Sequence, residues 1–403
     1  MRGLHGLDAL NFFLADVRDG LGPYLAVYLL DVHHWDPAAT GLTLAIGGIA
    51  GLLAQTPAGA LVDQVRAKRG LVAGAAILVT AACLLIPLRP EFRLVTLATA
   101  ASGAAAALFA PAIAAIALGL VGRAAFTRRT GRNEAFNHAG NAFAAAAAGA
   151  LSLWLGPVAV FGLLAAMAGA SLLSVLAIPG GAIDHELARG LDGGAAGLHP
   201  SRWRAMLTCR PLLLFGLAVA LFHFANAAML PLVGQELAER EPQQATALTS
   251  ACILAAQLVM VGMAALVGAR ADRWGRKPLF LAGFAVLALR GLLYTVDHHA
   301  WWLIGVQAMD GVGAGLYGAL MPLVVADLTR GTGHFNASLG AVATAQGVGA
   351  ALSNAAAGAV ASRAGYDAAF LALAAVAAAG FALSWWAVPE TREAAPRPVA
   401  VAA

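Results

Sequence analysis

GARADRWGRKP, residues 268–278, places Arg270, Asp272, Arg273, Arg276 and Lys277 in a short run between two long apolar stretches. A weaker copy, GALVDQVRAKR, stands at 59–69. Gly59 and Gly268, and likewise Asp63 and Asp272, are separated by 209 residues. Working outward, FFLAD at 12–16 is matched by FHFAN at 222–226, which sets Asp16 against Asn226 at an offset of 210, and Pro111 and Pro322 are 211 apart. Three matches at nearly one offset mean that the chain is built from two copies of one unit.

Composition names the solvent of both copies. Of 403 residues, 60% are hydrophobic and 11% charged, with a mean hydropathy of +0.77, whereas a soluble domain carries about 25% charged residues. A chain so poor in charge and rich in Gly and Ala is suited to lipid, where small residues let helix backbones approach. This excludes a soluble enzyme, a nucleic-acid binder and a disulfide scaffold. Cys83, Cys209 and Cys252 show no paired spacing. Asp16, Arg18 and Asp19 interrupt the first apolar run, so it is expected to be a retained span and not a cleaved leader.

With about 20 apolar residues needed per crossing, spans are expected near 9–30, 38–62, 70–88, 93–120, 135–155 and 158–178. After a polar stretch, six more follow near 211–234, 245–268, 278–296, 301–326, 336–361 and 367–388. The fold expected is an all-α polytopic membrane protein of twelve helices. Its units are an amino-terminal bundle (1–180), a central loop (181–209), a carboxy-terminal bundle (210–390) and a tail (391–403). Six spans per half is an even number, so the two repeats run parallel. With both termini placed inside, Lys and Arg cluster around 66–69, 123–132, 189–210 and 270–277, whereas the outer loops hold only Arg89, Arg93, Arg240 and Arg363. That asymmetry obeys the positive-inside rule and predicts cytoplasmic termini in a bacterial inner membrane.

These motifs and spans resemble the major facilitator superfamily along the whole chain. The family signature between spans two and three, often repeated between spans eight and nine, is G-x-L-x-D-R-x-G-R-K. The second copy here keeps Gly268, Asp272, Arg273, Gly275, Arg276 and Lys277. The first keeps Gly59, Leu61, Asp63 and Lys68, with Gln64, Arg66 and Ala67 at the usual Arg, Gly and Arg. The resemblance implies alternating access and a gating role for these loops, whose charges lock helix ends in one of two states. The fourth span has no intramembrane Arg, and the fifth lacks the G-x-x-x-G-P run of drug and proton antiporters. RGLLY (290–294) followed by GVQAMDG (305–311) is similar to a pattern in sugar and nucleoside proton symporters, with Asp310 at a position that is commonly His.

Five charges are expected well inside the hydrocarbon: Asp16, Arg18, Asp19, Arg290 and Asp310. Each costs about 2.5–3.5 kcal/mol on insertion scales unless it is paired or faces water, so each is a candidate functional group. Helical spacing sets Asp16, Asp19, Gly20 and Pro23 on one face of the first span, with Arg18 and Asn11 opposite. The resemblance implies a cavity lined by spans one, four, seven and ten. Asp16 or Asp19 is then expected to carry a proton or another cation, with a fixed ion pair involving Arg18 as the rival reading. Asn226 and His223 are candidates in the seventh span. Arg290 and Asp310, on adjacent helices at similar depth, are expected to pair. The intramembrane amides Asn137, Asn141, Gln257, Gln307, Gln346 and Asn354 can offer donors and acceptors to a polar substrate or hold helices together, with Gln257 and Gln307 as the weaker site candidates. DVHHWD (31–36) and DHH (297–299) are expected to be solvated interfacial segments, with no metal bound.

The function expected is secondary transport of a small molecule driven by protons or Na⁺, in a monomer held by the bilayer. No phosphate-binding loop or catalytic constellation is present in the sequence, so neither a cofactor nor enzymatic chemistry is expected. The loop signature leans towards efflux by antiport. The symporter-like pattern leans towards uptake, and a non-transporting sensor on the same fold is a third reading.

Overall fold

A computed structural model of the chain describes residues 2–19, 21, 24–25, 28–156, 158–191, 209–241 and 244–392. Among the described residues, eight helices are long and apolar enough to cross a membrane. Two of these divide at glycines in non-helical backbone, Phe109–Leu155 at Gly122 (φ 68°) and Phe335–Ala387 at Gly365 (φ 85°). The positive φ is affordable without a Cβ, so one run of helix becomes two spans. The helices Arg2–Asp19 and Arg276–Leu293 carry too many charges to register by hydropathy alone, and they complete a set of twelve.

In chain order these are α1 (Arg2–Asp19), α2 (Pro37–Gln64), α3 (Lys68–Leu85), α4 (Phe92–Ala106, resuming over 109–121), α5 (123–155) and α6 (Ala159–Leu176). The second half holds α7 (Arg210–Asn226 with Met229–Arg240), α8 (Ala245–Trp274), α9 (Arg276–Leu293), α10 (Ala300–Ala308 with Asp310–Leu328), α11 (335–364) and α12 (366–387). Among the described residues, α4, α7 and α10 are interrupted. α4 breaks at Ala107–Leu108 and α7 at Ala227–Ala228, where Pro111 and Pro231 stand four residues beyond the break and supply no N–H to close the turn. α10 breaks at Met309 with no proline nearby.

The repeat seen in the sequence is repeated in the packing. A Cβ on Gly131 of α5 would lie 2.5 Å from the Ala264 carbonyl of α8, and one on Gly340 of α11 would lie 2.2 Å from the Gln55 carbonyl of α2. Both members of each pair are displaced by 209 residues. Within the halves, Gly140 presses on the Phe12 carbonyl and Gly349, again 209 further on, presses on that of Ala220. Backbone touches backbone at these crossings, as it does where small residues replace the hydrophobic effect in lipid.

Two local expectations are corrected. The loop expected before 135 is helix: α5 runs from 123, so Arg123, Arg128, Arg129 and Arg132 lie on its first turns. Arg129 is 5% exposed there and, together with Arg132, binds Asp8 of α1; the Arg132 contacts are 2.7 and 2.9 Å. The beginning of the central loop is also folded. It forms short 3₁₀ turns at Gly180–Ala182 and Leu187–Arg189, and its Ala188 and Gly190 carbonyls accept hydrogen bonds from Asn336 (2.9 Å), Arg123 (2.9 Å) and Gly331 (2.8 Å).

Candidate functional site: a cavity between the halves, closed at one end

The end that carries the 59–69 and 268–278 loops, the motif end, is where hydrogen bonds between the halves gather. Asp63, 4% exposed at the end of α2, accepts from the backbone N–H groups of Asn336 (3.2 Å) and Ala337 (2.8 Å) and from Asn336 Nδ2 (2.8 Å). These are first-turn amides of α11, which have no partner within their own helix, so the carboxylate meets both unsatisfied donors and the positive end of the helix dipole. Lys68, itself 1% exposed, ties the loop back by donating to the Val62 (2.8 Å) and Val65 (3.1 Å) carbonyls.

The second loop makes the related junction. Asp272 accepts from Thr127 Oγ1 of α5 (2.8 Å) and from Arg276 Nη1 (2.7 Å), and Arg276 reaches Asp327 of α10 (3.3 Å) and Thr127 (3.1 Å). Gly275 turns with φ 94° and allows Glu390 to approach and accept from the backbone N–H groups of Arg276 (2.9 Å) and Lys277 (3.1 Å). Lys277 Nζ donates to the Trp385 carbonyl (2.6 Å), and Arg392 donates to that of Arg273. Further along, Thr56 and Thr344 hydroxyls meet at 3.1 Å, and the Phe126 and Phe335 rings pack edge to face across the junction.

Beyond this closure lies a polar chamber of about 290 Å³. α5 supplies a stripe to it: Thr130, Asn133, Glu134, Asn137, His138 and Asn141. The steps of three and four residues set all six on one face. α1 contributes Asn11 and Arg18, α7 His223, α10 Tyr317, and α11 Gln346. Arg18 has no ion-pair or hydrogen-bond partner among the described residues, and Glu134 has only a long contact from Asn137 Nδ2 (3.5 Å). His138 donates from Nδ1 to Gln257 Oε1 of α8 (2.9 Å), a bond across the two halves near the middle of the bundle; its Nε2 is buried without a partner among the described residues. His223 donates from Nδ1 to the Val219 carbonyl (3.2 Å), with its ring edge-on to Tyr317 at 4.5 Å between centroids.

The chamber shares Arg18, Ala110, Met321 and Gln346 with a larger, mainly apolar vestibule of about 870 Å³, walled by α2, α3, α4 and α11. Leu44, Ile49, Leu52 and Ile86 are part of that wall.

The sequence-predicted residues separate accordingly. Arg18, His223 and, through His138, Gln257 belong to the chamber. Asp16 is half-buried and lines neither cavity, so the face of α1 that looks inward is that of Arg18 and Asn11, opposite to the expected acidic face. The side chain of Asp19 lies outside the described residues. Asn226 also lines neither cavity, and its Oδ1 is buried without a partner among the described residues. Arg290 and Asp310 do pair, behind the cavity wall. Arg290 is 1% exposed, bonds Asp310, reaches Met229 Sδ (3.2 Å) and lies 5.9 Å from the Tyr294 ring, while Tyr294 bonds Gln307, itself 0% exposed. This is a buried bracket inside the second half, and Gln307 is part of it and not of the cavity. Among the described residues no three His, Cys, Asp or Glu side chains converge on a metal position. Outer His298 instead contacts Glu236 (2.7 Å), and His33 meets the Tyr28 hydroxyl (2.9 Å).

Sequence reasoning missed Thr130, Asn133 and Glu134 because the arginines around them were read as a loop; Asn137 and Asn141 of the same stripe fell inside the span expected at 135–155. The signal was present: polar residues at 130, 133, 134, 137, 138 and 141 keep a helical period through RTGRNEAFNHAGNAF.

Comparison with known proteins agrees with this architecture. The family model described as Major Facilitator Superfamily matches residues 7–269 and 227–403. Two Mycobacterium tuberculosis proteins, from strains CDC 1551 / Oshkosh and ATCC 25618 / H37Rv, are 58% identical over 392 residues, covering 97% of this chain and 94% of theirs. Both are named as uncharacterized MFS-type transporters. Among solved structures, the MFS transporter FucP in the outward conformation superposes with a TM-score of 0.74 at 15% identity, covering 95% of this chain and 98% of that one. The proton:xylose symporter XylE, bound to 6-bromo-6-deoxy-D-glucose, gives 0.72 at 13% identity, covering 96% and 95%. With its family model matched in both halves and two close full-length relatives, the chain belongs to the major facilitator superfamily.

Proposed function

We propose that the protein is a proton-coupled secondary transporter that moves a small molecule by alternating access across a bacterial inner membrane, with both termini cytoplasmic. The observation that carries this reading is the chamber itself. It lies between the two halves and holds a guanidinium, Arg18, without a partner among the described residues, and a carboxylate, Glu134, with one long contact among them, on a wall whose other polar groups are chiefly amides and two histidines. Charged groups left unpaired at membrane depth are costly, and a transported solute or proton is what compensates them. The motif end carries most of the Lys and Arg, which supports assigning it to the cytoplasm. In that orientation this conformation is closed inward, and its vestibule leads outward.

Glu134 takes the place of Asp16 as the proposed proton carrier, with His138 and His223 as neighbours that relay or sense the proton. Asp63 and Asp272 latch the inward-closed state, and opening requires both junctions to part. No cavity feature supports the efflux reading, which rests on the loop signature alone.

The test is reconstitution into liposomes with an imposed pH gradient and a panel of radiolabelled organic acids, sugars, amines and amphipathic drugs. One solute is expected to move with the gradient, and Glu134→Gln is expected to abolish gradient-driven accumulation while solute exchange at equal concentrations continues. If the variant accumulates solute as well as the native protein does, Glu134 is not the coupling group. If no solute moves in either assay, transport itself fails.

A further inference from the structure

We infer that the cavity is built for an amphipathic organic anion, whose acidic group binds Arg18 and whose apolar body lies in the vestibule. This deepens the transport reading above and rests on it for direction and coupling, though not for binding.

Three observations carry it. The first is the position of Arg18, which lines both cavities and so stands at the boundary between a polar and an apolar compartment. A guanidinium without a partner among the described residues presents a fork of N–H donors that fits a carboxylate or phosphate in two-point contact. The second is the character of the larger compartment. Leu21, Leu25, Leu44, Ile49, Leu52 and Ile86 face it. Thr99, a polar member of that wall, spends its hydroxyl on the Val95 carbonyl of its own helix at 2.6 Å. The wall also holds Gln55, Ser102, Gln346 and Asn354, too few to meet every hydroxyl of a sugar against this apolar surface, whereas an alkyl or aryl body fits the leucine and isoleucine wall. The third is the charge balance. An anion on Arg18 and the carboxylate of Glu134 set two negative charges against one guanidinium, the only carboxylate and guanidinium that line the chamber among the described residues. One proton on Glu134 makes the loaded chamber neutral. Anion and proton therefore favour each other's binding, the thermodynamic condition for symport; antiport needs them to compete.

Binding to the purified full-length protein in detergent tests the inference with ω-phenylalkanoates, their primary amides and their amines as probes. The carboxylates are expected to bind about ten- to a hundredfold tighter than the amides, as a charge-assisted hydrogen bond allows. Affinity is expected to rise about three- to fourfold for each added methylene until the vestibule is full. Arg18→Gln is expected to remove the preference for acid over amide, and Arg18→Lys to restore part of it. Binding in weakly buffered solution is expected to take up a proton in the native protein and not in Glu134→Gln.

The preference for the acid and the dependence on length are read in the native protein, so a variant that fails to fold leaves the test intact. An amine that binds better than the acid, an affinity indifferent to chain length, or no binding by any member of the series overturns the inference. A preference for acid that survives in folded Arg18→Gln overturns the role of Arg18. Displacement of the probe by lysophosphatidylglycerol assigns the anion to the leaflet, and failure to displace it assigns the anion to the aqueous phase; both keep the class. If anions bind but none crosses a liposome wall, the transport reading fails while the site stands. If another solute is transported through Glu134 while anions do not bind, the reverse holds.

Discussion

The carboxylate of Asp63 accepts hydrogen bonds from both the backbone and the side-chain amide of Asn336. Displaced by 209 residues, Asp272 accepts one from Thr127. The two junctions are therefore copies of one contact, made by opposite halves of a duplicated chain, and they differ in strength. The first is a buried carboxylate capping a helix with three donors. The second is an exposed carboxylate that reaches the facing helix through one hydroxyl, helped by Arg276.

Asp63→Asn therefore loosens the motif end more than Thr127→Val does. Loss of hydrogen bonds to a buried charge costs about 1.5–3 kcal/mol, whereas the exposed Asp272 carboxylate is hydrated when Thr127 is removed, so that loss costs less. A shift of that size changes the open-to-closed ratio about tenfold or more for the first variant and several-fold for the second. Labelling of a cysteine placed at Ala337, accessible only when the motif end parts, measures both, and equal rates in the two variants would show that the difference in donors has no energetic consequence.

Gly340→Leu and Gly131→Leu are expected to act by a different route. Their side chains would collide with the Gln55 and Ala264 carbonyls at two close backbone crossings between the halves. Close-packed helices cannot absorb a branched side chain there without separating. Each variant is expected to fold, and to expose motif-end cysteines in the absence of substrate. Unchanged protection would mean that the crossing has room to adjust.

Breaking the Arg290–Asp310 bracket should damage stability without touching solute recognition. Removing one partner strands the other as a buried charge, at a cost of about 3–5 kcal/mol, whereas a matched apolar pair is near neutral. Thermal unfolding in detergent should rank Arg290→Met and Asp310→Leu well below the double variant, with the double variant close to the native protein. A double variant no better than either single would show that the loss is not that of a stranded charge.

Glu390 sets an acid limit on the tail contact. Burial opposes its ionisation, but the backbone N–H groups of Arg392, Arg276, Lys277 and Thr391 outweigh burial and hold its carboxyl below the ordinary value of 4.5. The folded value lies below the unfolded one, so the stabilisation is complete above about 4.5 and is lost as pH falls through the folded value. The difference in melting temperature between the native protein and Glu390→Gln is expected to be full at pH 7 and to vanish on acidification. A difference independent of pH would show that the carboxylate's charge contributes nothing.

Much of the fold was legible because lipid imposes a simple rule: apolar length means a span, and Lys and Arg mark one side. The duplicated loop supplied the symmetry. The Arg290–Asp310 pair was legible too, since adjacent helices put both at one depth. The site was harder to read. Helical spacing separated Asp16 from Arg18 correctly, but a helical wheel does not say which face turns inward, and the structure turns Arg18 to the chamber. Glu134 was hidden by a second ambiguity, since a run of arginines reads as a loop whether it is a loop or the first turns of a helix. Asp8, which binds Arg129 and Arg132, resolves that run, and nothing in the linear sequence links residue 8 to residue 129.

The central claim is that the two halves rock about the chamber, so that one end opens as the other closes. Spin-label distances in the membrane test it most directly, with one pair at Arg66 and Arg330 across the motif end and another at Arg93 and Val296 across the opposite end. In the background of Asp63→Asn with Asp272→Asn, the first distance is predicted to lengthen and the second to shorten. A motif end that opens while the opposite end keeps its distance, or two ends that open together, would contradict alternating access in this protein.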